Sequence, residues 1–135
     1  MNSKYVIDAY AWIEYFRASQ YGKVAKEYIE SADSVTPSIV VAEVSRKLQE
    51  EIELGNETPD GRLNRLEFIS ATSQVVELDF DLAVAAGSAD CDMKKKQKGW
   101  GLADSIVLCT ARNINGKVVT GDEHFRDLKE VVFIK

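Results

Sequence analysis

The chain has 135 residues and a formal net charge of −5, with 45% apolar and 29% charged residues. This size and composition predict one globular domain over residues 1–135, able to bury a core without disulfides. No apolar run approaches the roughly 20 residues of a membrane span, and Asp8 and Glu14 interrupt the N-terminal apolar stretch, so we expect no membrane segment, no signal peptide and a cytoplasmic location.

The N-terminal part of the chain predicts two short buried strands and two helices. Residues 4–7 form an apolar, β-branched run that predicts a strand, and a helix is expected directly after it over residues 9–16. Residues 22–31 place apolar side chains on one helical face and predict a second helix. A brief second strand is expected within residues 33–38.

A long amphipathic helix is predicted over residues 38–54, with Ser38 as its N-cap. Its apolar side chains recur every four positions, at Val40, Val44, Leu48 and Ile52. Residues 55–61 are rich in turn-forming residues and predict the clearest loop of the chain. Another helix is expected over residues 62–72.

The next segments predict a strand and two further helices. A strand is expected over residues 74–78, followed by a helix that either Asp79 or Asp81 caps. The basic and glycine-containing segment 94–101 is expected to end that helix. Residues 102–113 are apolar on most faces, which predicts a central and largely buried helix.

Two more strands complete the predicted fold. One is expected between two turns within residues 116–122, and the other over residues 131–134. Short strands that alternate with helices are typical of α/β domains. We therefore predict an α/β fold in three layers, with a central, mainly parallel, twisted sheet flanked by helices.

The scarcity of histidine and cysteine limits the chemistry available to the chain. His124 is the only histidine, and Cys91 and Cys109 form no CxxC pair, so a zinc site is not expected. Catalysis by a Ser-His-Asp or Cys-His arrangement would depend on His124 alone. The cysteines are interpreted as thiols of a reducing compartment. The negative net charge does not exclude a nucleic-acid partner, because carboxylates that recruit cations add to the formal charge.

Four carboxylates occupy positions where a parallel α/β fold is expected to carry its active site. Such folds bind ligands in a crevice at the carboxyl ends of the strands. Asp8 directly follows the first strand, and Asp122 comes just after a later one. Glu43 lies in the second turn of its helix, and Asp104 lies in the first turn of the apolar helix. We expect all four side chains to point toward the same end of the sheet.

Each carboxylate also has a purely structural explanation, and the residues alone leave both interpretations open. Asp8 is suited to cap the helix that follows it, and Asp122 is suited to a turn. Asp104 complements the positive end of its helix dipole. Glu43 and Lys47 form an i, i+4 pair in the favourable order, worth about 0.3 kcal/mol.

The surroundings of two carboxylates favour a bound cation. Asp104 lies within an apolar segment, and Glu43 lies at the margin of the apolar stripe of its helix. Burying an ionised carboxylate costs several kcal/mol unless it is paired or binds a metal, and no buried Arg or Lys of these segments is an evident partner. Clustered carboxylates suit Mg²⁺ or Mn²⁺, and such a cation activates water and stabilises charge on a phosphoryl oxygen.

Four segments of the chain, in order, resemble the acidic motifs of the PIN-domain ribonucleases. They are YVIDAYAWIEYF at 5–16, SIVVAEV at 38–44, GLADSIVLCTAR at 101–112 and VVTGDEHF at 118–125. The similarity is strongest to the VapC toxins of type II toxin–antitoxin systems and covers essentially the whole chain. It implies a PIN fold and a metal-dependent endoribonuclease that hydrolyses RNA phosphodiester bonds, with Mg²⁺ as cofactor and Mn²⁺ as its substitute.

The resemblance implies a role for each matched residue. Asp8, Glu43, Asp104 and Asp122 match the four acidic positions, which implies that they bind the metal and carry the catalysis. Glu43 is implied either to bind the metal or to orient the attacking water. Thr120 matches a hydroxyl position that supports the site.

One position departs from the family pattern. Many members carry Ser or Thr directly after the first aspartate, where this chain has Ala9. A supporting hydrogen bond is therefore expected to be absent, whereas metal binding is expected to survive. A PIN-like module that only binds a partner is an alternative function, and Ala9 is the residue that leaves room for it.

RNA is expected to bind through its phosphates, because no stacking motif for bases is evident. The candidate contacts are Lys94, Lys95, Lys96, Lys98 and Arg46, with Lys47 and Arg112 as weaker ones. The lysine run has a second interpretation as the solvated last turn of a helix.

Partners and rival functions follow from the same resemblance. A toxin implies a cognate antitoxin, and a homodimer is also expected; a PIN nuclease of RNA processing is the nearest rival. The aromatic side chains exceed what one helix face buries, so some of them are predicted to form a homodimer or antitoxin surface, with the core and groove wall as the alternative. They are Tyr10, Trp12, Tyr15 and Phe16. A haloacid-dehalogenase-type phosphohydrolase is disfavoured because Tyr10 occupies the position of its second aspartate.

Overall fold

A five-stranded parallel sheet forms the centre of the computed structural model, which describes residues 3–135. The strands are β1 (Tyr5–Ile7), β2 (Ser34–Pro37), β3 (Gln74–Val76), β4 (Lys117–Thr120) and β5 (Val131–Phe133). They lie in the order β3-β2-β1-β4-β5, and every neighbouring pair is parallel. The predicted α/β fold with a central parallel sheet is therefore confirmed.

Six helices and one short 3₁₀ helix accompany the strands within the described residues. They are α1 (Ala9–Arg17), α2 (Gln20–Ile29), α3 (Ser38–Glu53), α4 (Pro59–Thr72), α5 (Phe80–Lys96), α6 (Leu102–Asn113) and the 3₁₀ helix Glu123–Phe125. The pairs α1–α2 and α5–α6 pack against each other. None of these helices has both the length and the apolar character needed to cross a membrane.

The strand order places a crevice beside the carboxyl end of the central strand. From β1 the chain moves to β2 and β3 on one side, and then returns to β4 and β5 on the other. Ligand sites of open parallel sheets lie where the order reverses in this way. Ile7 pairs with Val119 in the β1–β4 register, so the next residues of the two strands, Asp8 and Thr120, lie side by side.

The core holds these strand ends rigidly. Val6 and Ile7 of β1 and Val118 and Val119 of β4 have no exposed surface. Close packing of branched side chains leaves few alternative backbone positions for the residues that follow them. The apolar runs of these strands therefore give the crevice a fixed edge.

Two helix starts differ from the prediction. Pro37, not Ser38, occupies the N-cap position of α3, which begins at Ser38 without a side-chain cap. Helix α4 begins at Pro59 rather than residue 62, and the Thr58 hydroxyl accepts the Gly61 N–H at 3.0 Å. Proline suits the first helical position because its missing N–H has no partner there. The sequence predicts a loop at Pro59, whereas Pro59 is the first residue of α4 in the structure.

Two further local details sharpen the sequence-based picture. The carboxylate of Asp79 accepts the Leu82 N–H at 2.8 Å, so Asp79 rather than Asp81 caps α5. The 3₁₀ helix Glu123–Phe125 was not predicted, and it follows Asp122 directly. This turn of helix determines where His124 lies.

Candidate metal centre

Asp8 presents a buried carboxylate at the carboxyl end of β1. The residue is 6% exposed, and its backbone N–H donates to the Val119 carbonyl at 3.1 Å. It occupies the N-cap position of α1, but its side chain makes no capping hydrogen bond. Its Oδ2 instead accepts the Thr120 hydroxyl at 2.8 Å. The side chain therefore does not serve the simple capping role that the sequence left open.

The environment of Asp8 penalises its ionised form. Burial is the largest cause that raises the pKa of Asp8 to about 7, and the charges of Glu43 and Asp122 raise it further. The hydrogen bond from Thr120 and the backbone N–H of Ala9 lower the pKa, but they do not offset the burial. A buried carboxylate in this state is stabilised by a nearby cation.

Asp104 lies in the first turn of α6 and faces the same crevice. Its Oδ2 accepts the Gly101 N–H at 3.0 Å and lies 3.1 Å from Nδ1 of His124. Burial raises the pKa of Asp104 despite these two contacts. The structural role at the helix start and a role in the crevice therefore coexist in one side chain.

Asp122 and His124 complete a compact group of donors with Asp104. Asp122 Oδ1 accepts the His124 backbone N–H at 3.0 Å and lies 3.7 Å from Nδ1 of the ring. One donor atom of each of the three residues lies within 4.8 Å of the other two. Asp122 thus takes part in a turn, as its structural explanation predicts, and also points into the crevice.

Glu43 joins the cluster from α3. It is half-buried, and burial is the first cause that raises its pKa, followed by the charges of Asp104 and Asp122. The nearby Arg46 lowers the same pKa. The four carboxylates therefore lie close enough to act on one another electrostatically.

The donor set of the crevice fits a hard divalent cation. Within residues 3–135, no Lys or Arg nitrogen lies within 4.0 Å of the carboxylates of Asp8, Glu43, Asp104 or Asp122. Among these described residues, His124 is the only basic side chain in direct contact with them. Oxygen ligands with uncompensated negative charge are those that Mg²⁺ and Mn²⁺ prefer. Whether these residues bind metal stays a prediction, and their arrangement is compatible with it.

Thr120 connects two of the carboxylates. Its hydroxyl donates to Asp8 and accepts the backbone N–H of Asp122 at 3.0 Å. Ala9 has no hydroxyl to offer, but the Asp8 carboxylate receives a hydroxyl hydrogen bond from Thr120. The departure at Ala9 therefore leaves Asp8 supported from the neighbouring strand.

Gly121 fits under the ring of Tyr10. A Cβ at this glycine would collide with Cε1 and Cδ1 of Tyr10. The ring covers the backbone between Thr120 and Asp122, so the segment that carries Asp122 is packed from one side. Only glycine allows this close approach without a shift of the ring or the backbone.

The lysine run lies at the end of α5 and is exposed. Lys94 pairs with Asp90 at 3.2 Å, whereas Lys95, Lys96 and Lys98 have no acidic partner within 4.0 Å among the described residues. The run adjoins the crevice, because the Gln97 side-chain amide donates to the His124 carbonyl at 2.7 Å. The predicted phosphate contacts therefore lie on the side of the crevice that His124 forms.

Arg46 lies near Glu43 and lines a shallow groove between α1 and α3. The groove is lined by Ala9, Tyr10, Ile13, Glu14, Arg17, Glu43, Arg46 and Lys47. Arg46 pairs with Glu50 at 2.8 Å, and Lys47 pairs with Glu51 at 3.4 Å. These exposed pairs are weak, so phosphate groups can compete for the two basic side chains.

The aromatic side chains of α1 divide between core and surface. Trp12 is fully buried, and its Nε1 donates to the Thr36 hydroxyl at 3.1 Å, so it belongs to the core and not to a partner surface. Tyr15 and Phe16 are partly exposed and contact Phe68 of α4, with the Tyr15 and Phe68 rings stacked at 5.9 Å. A partner surface that includes Tyr15 and Phe16 stays a prediction.

His124 is the residue of the crevice that sequence reasoning missed. It was considered only as a base for Ser or Cys catalysis, because one histidine does not make a zinc site. The available signal was its position two residues after Asp122, within the fourth acidic segment. Its ring is placed beside Asp104 by the 3₁₀ helix, which the sequence did not predict.

Comparison with known proteins identifies the family. The model of the PIN domain family matches residues 5–131. The chain belongs to the PIN domain family. No curated protein matches the chain in sequence.

Solved structures share this fold over nearly their whole length. A toxin–antitoxin complex from Klebsiella pneumoniae contains a chain with a TM-score of 0.74 and 19% identity, with 98% of both chains covered. A chain of the DNA-bound VapBC of Salmonella typhimurium has a TM-score of 0.77 and 15% identity, with 99% of this chain and 100% of that chain covered. VapC20 of Mycobacterium tuberculosis, a sarcin-ricin loop cleaving toxin, has a TM-score of 0.74 and 14% identity, with 95% of this chain and 97% of that chain covered. At these identities the similarity establishes the fold.

Proposed function

We propose that this PIN-domain protein is a divalent-metal-dependent endoribonuclease and the toxin of a VapBC-type toxin–antitoxin pair, formed by one domain over residues 1–135. The observation that carries the proposal is the buried carboxylate of Asp8, which lies among other carboxylates with no Lys or Arg partner in the described residues. Folding such a group into a strand end is costly. A site that needs a cation to function explains why the cost is tolerated.

The metal would be held by carboxylates from four segments of the chain. Asp8, Asp104 and Asp122 would bind it directly or through water, and Glu43 lies beside them. A divalent cation supplies positive charge that stabilises the phosphoryl oxygens and makes water a stronger nucleophile. Mg²⁺ is the proposed cofactor, with Mn²⁺ as substitute.

Glu43 is the proposed acceptor of the water proton. Hydrolysis forms a bond between the water oxygen and phosphorus, breaks the bond to the leaving ribose oxygen, and leaves a proton to be accepted. Burial and the charges of Asp104 and Asp122 raise the pKa of Glu43, which makes its carboxylate a stronger base than an exposed glutamate. The leaving oxygen takes a proton from solvent or from the crevice.

RNA is the proposed substrate, bound across the crevice by its phosphates. Lys95, Lys96 and Lys98 offer unpaired positive charge, and Arg46 lies near Glu43. Charge near the cleavage site offsets the net charge of −5, which otherwise repels a polyanion. The structural similarity to VapC20, a sarcin-ricin loop cleaving toxin, supports a structured RNA as the target.

An antitoxin is the proposed protein partner, in a reducing cytoplasm. Several chains of the same fold come from toxin–antitoxin complexes. The partly exposed rings of Tyr15, Phe16 and Phe68 are the proposed contact surface, because aromatic side chains are enriched in protein interfaces. A short neighbouring open reading frame that encodes a DNA-binding protein would distinguish a toxin from a nuclease of RNA processing.

Cleavage of a structured RNA tests the proposal. The purified full-length chain, freed of any partner, is expected to cleave with Mg²⁺ or Mn²⁺ and to be inactive in EDTA. Asp8→Asn and Asp104→Asn should abolish cleavage, whereas the matched variant Asp92→Asn, at an exposed carboxylate of α5, should retain it. Cleavage that persists in both site variants, or no cleavage with either metal, would overturn the proposal.

A further inference from the structure

The imidazole of His124 faces the carboxylates of the crevice at close range. Its Nδ1 lies 3.1 Å from Asp104 Oδ2 and 3.7 Å from Asp122 Oδ1. These are the shortest contacts between any basic side chain and the four acidic residues in the described part of the chain. Nδ1 of His124 therefore lies within reach of a cation held by Asp104 and Asp122.

The ring is held in this orientation from several directions. The Asp122 carboxylate accepts the His124 backbone N–H, and the Gln97 amide donates to the His124 carbonyl. The ring of Trp100 lies 6.2 Å away, between centroids. On the Nε2 side lies Gly99, at φ +90°, where a Cβ would come within 3.4 Å of Nε2. Nδ1 is thus directed at the carboxylates before any ligand binds.

The separations match donors that share one metal ion. An octahedral cation with bonds of about 2.1 Å places neighbouring donor atoms about 3.0 Å apart and opposite ones about 4.2 Å apart. The 3.1 Å from Nδ1 to Asp104 Oδ2 matches neighbouring donors, and the 3.7 Å to Asp122 Oδ1 lies between the two values. Without a cation, the same geometry allows Nδ1–H to donate to Asp104. Binding a metal replaces that proton and leaves the heavy atoms nearly in place.

We propose that Nδ1 of His124 is a ligand of the metal and raises the affinity of the site for Mn²⁺ more than its affinity for Mg²⁺. The inference rests on the metal site of the proposed function and assigns that site a nitrogen donor in addition to its carboxylates. Mg²⁺ takes oxygen ligands and gives up water reluctantly. Mn²⁺ prefers oxygen ligands too, but it belongs to the first-row transition series, whose ions bind nitrogen as well as oxygen donors, so a nitrogen adds more to its affinity than to that of Mg²⁺.

Electron spin echo spectroscopy of bound Mn²⁺ tests the ligand directly. The untagged chain contains one histidine, so nitrogen-15 labelling of histidine changes the signal of His124 alone. The wild type is expected to show a nitrogen-14 coupling that becomes a nitrogen-15 coupling on labelling. If labelling leaves the spectrum of bound Mn²⁺ unchanged, the inference is overturned. This measurement uses only the wild-type chain, so it does not depend on the folding of a variant.

Calorimetric titration of wild type and His124→Phe with each metal tests the selectivity. Phenylalanine keeps a flat ring beside Trp100 but has no nitrogen. Mn²⁺ affinity is expected to fall by about tenfold or more, and Mg²⁺ affinity by less than about threefold. Equal losses for both metals would indicate a structural role, and an unchanged Mn²⁺ affinity would exclude a ligand; either result overturns the inference.

The two proposals fail in different ways. If the wild type binds Mn²⁺ and loses it in Asp104→Asn, but shows no histidine coupling, the metal site stands and the role of His124 falls. If the wild type binds no Mn²⁺ at millimolar concentration, both the proposed function and this inference fall.

Discussion

The hydroxyl of Thr120 donates a hydrogen bond of 2.8 Å to the carboxylate of Asp8, a residue 112 positions earlier in the chain. The same oxygen accepts the backbone N–H of Asp122 at 3.0 Å. Thr120 is fully buried, so water has no ready access to replace either contact. One side chain therefore fixes two of the carboxylates that end β1 and follow β4.

Replacing Thr120 with valine should destabilise the protein and disturb the crevice. Valine matches the shape of threonine but leaves the buried Asp8 carboxylate without its hydroxyl donor and the Asp122 N–H without its acceptor. The free energy of unfolding in urea is expected to fall by about 1–3 kcal/mol. Thr120→Ser keeps the hydroxyl and should lose less. A valine variant as stable as the wild type would show that the hydroxyl contributes nothing.

Asp8→Asn should stabilise the metal-free protein, and only at neutral to alkaline pH. Burial raises the pKa of Asp8 from 3.8 to about 7, so the folded protein binds this proton more tightly than the unfolded chain does. The free energy of unfolding therefore falls as pH rises from about 4 to about 7, and the loss is complete above this window. Asparagine has no charge to bury and avoids that loss.

Thermal unfolding in EDTA measures this effect. At pH 8 the gain of Asp8→Asn over wild type is expected to be at most about 4 kcal/mol, and at pH 4 it should disappear. Asp92→Asn, at an exposed carboxylate, is the control and should show no comparable pH-dependent gain. A gain of equal size at both pH values would mean that ionisation of Asp8 is not the cause.

Gly121→Ala should destabilise the fold through Tyr10. The added methyl group collides with the ring that covers this backbone, so the ring or the Asp122 segment has to move. Overpacking of this kind costs about 1–3 kcal/mol, measured by urea unfolding. In the Tyr10→Ala background the same change should cost much less. Gly87→Ala, on an exposed face of α5 with open space around the new methyl group, should instead stabilise the helix by up to about 1 kcal/mol.

Removal of the unpaired lysines should weaken RNA binding without affecting the metal. A triple alanine variant of Lys95, Lys96 and Lys98 is expected to reduce the slope of log affinity against log salt by about 2, if each lysine contacts one phosphate of a single strand. Fluorescence anisotropy of RNA binding measures this slope, with all variants carrying Asp104→Asn so that the RNA is not cleaved. Lys23→Ala, an exposed lysine of α2, is the control. An unchanged slope would exclude the run as a phosphate-binding surface.

The parallel sheet followed from local patterns. Val6, Ile7, Val118 and Val119 are apolar because both faces of their strands are buried, and such runs are visible in one sequence. The positions of Asp8 and Asp104 relative to these elements can be predicted from the sequence for the same reason. Pro59 was misassigned because proline serves both loops and first helical turns, and local sequence does not separate the two.

Contacts between distant segments could not be predicted from the sequence. The packing of Tyr10 on Gly121 and the position of His124 beside Asp104 depend on register and side-chain orientation across the sheet. The hydroxyl support of Asp8 was expected from Thr120 only through the family resemblance, because nothing local to β1 or β4 predicts their pairing. Tertiary packing decides these contacts between distant segments, and no short pattern in a single sequence encodes them.

The pairing of β1 with β4 also bears on how the protein is made. Asp8 leaves the ribosome long before its hydrogen-bond partner Thr120, which follows 112 positions later, and before the segment with Asp122. A growing chain shorter than about 120 residues has an incomplete sheet and no assembled carboxylate cluster. The carboxylate cluster therefore assembles only after the segment with Thr120 and Asp122 has been synthesised, so a chain that stops before this segment lacks the proposed site.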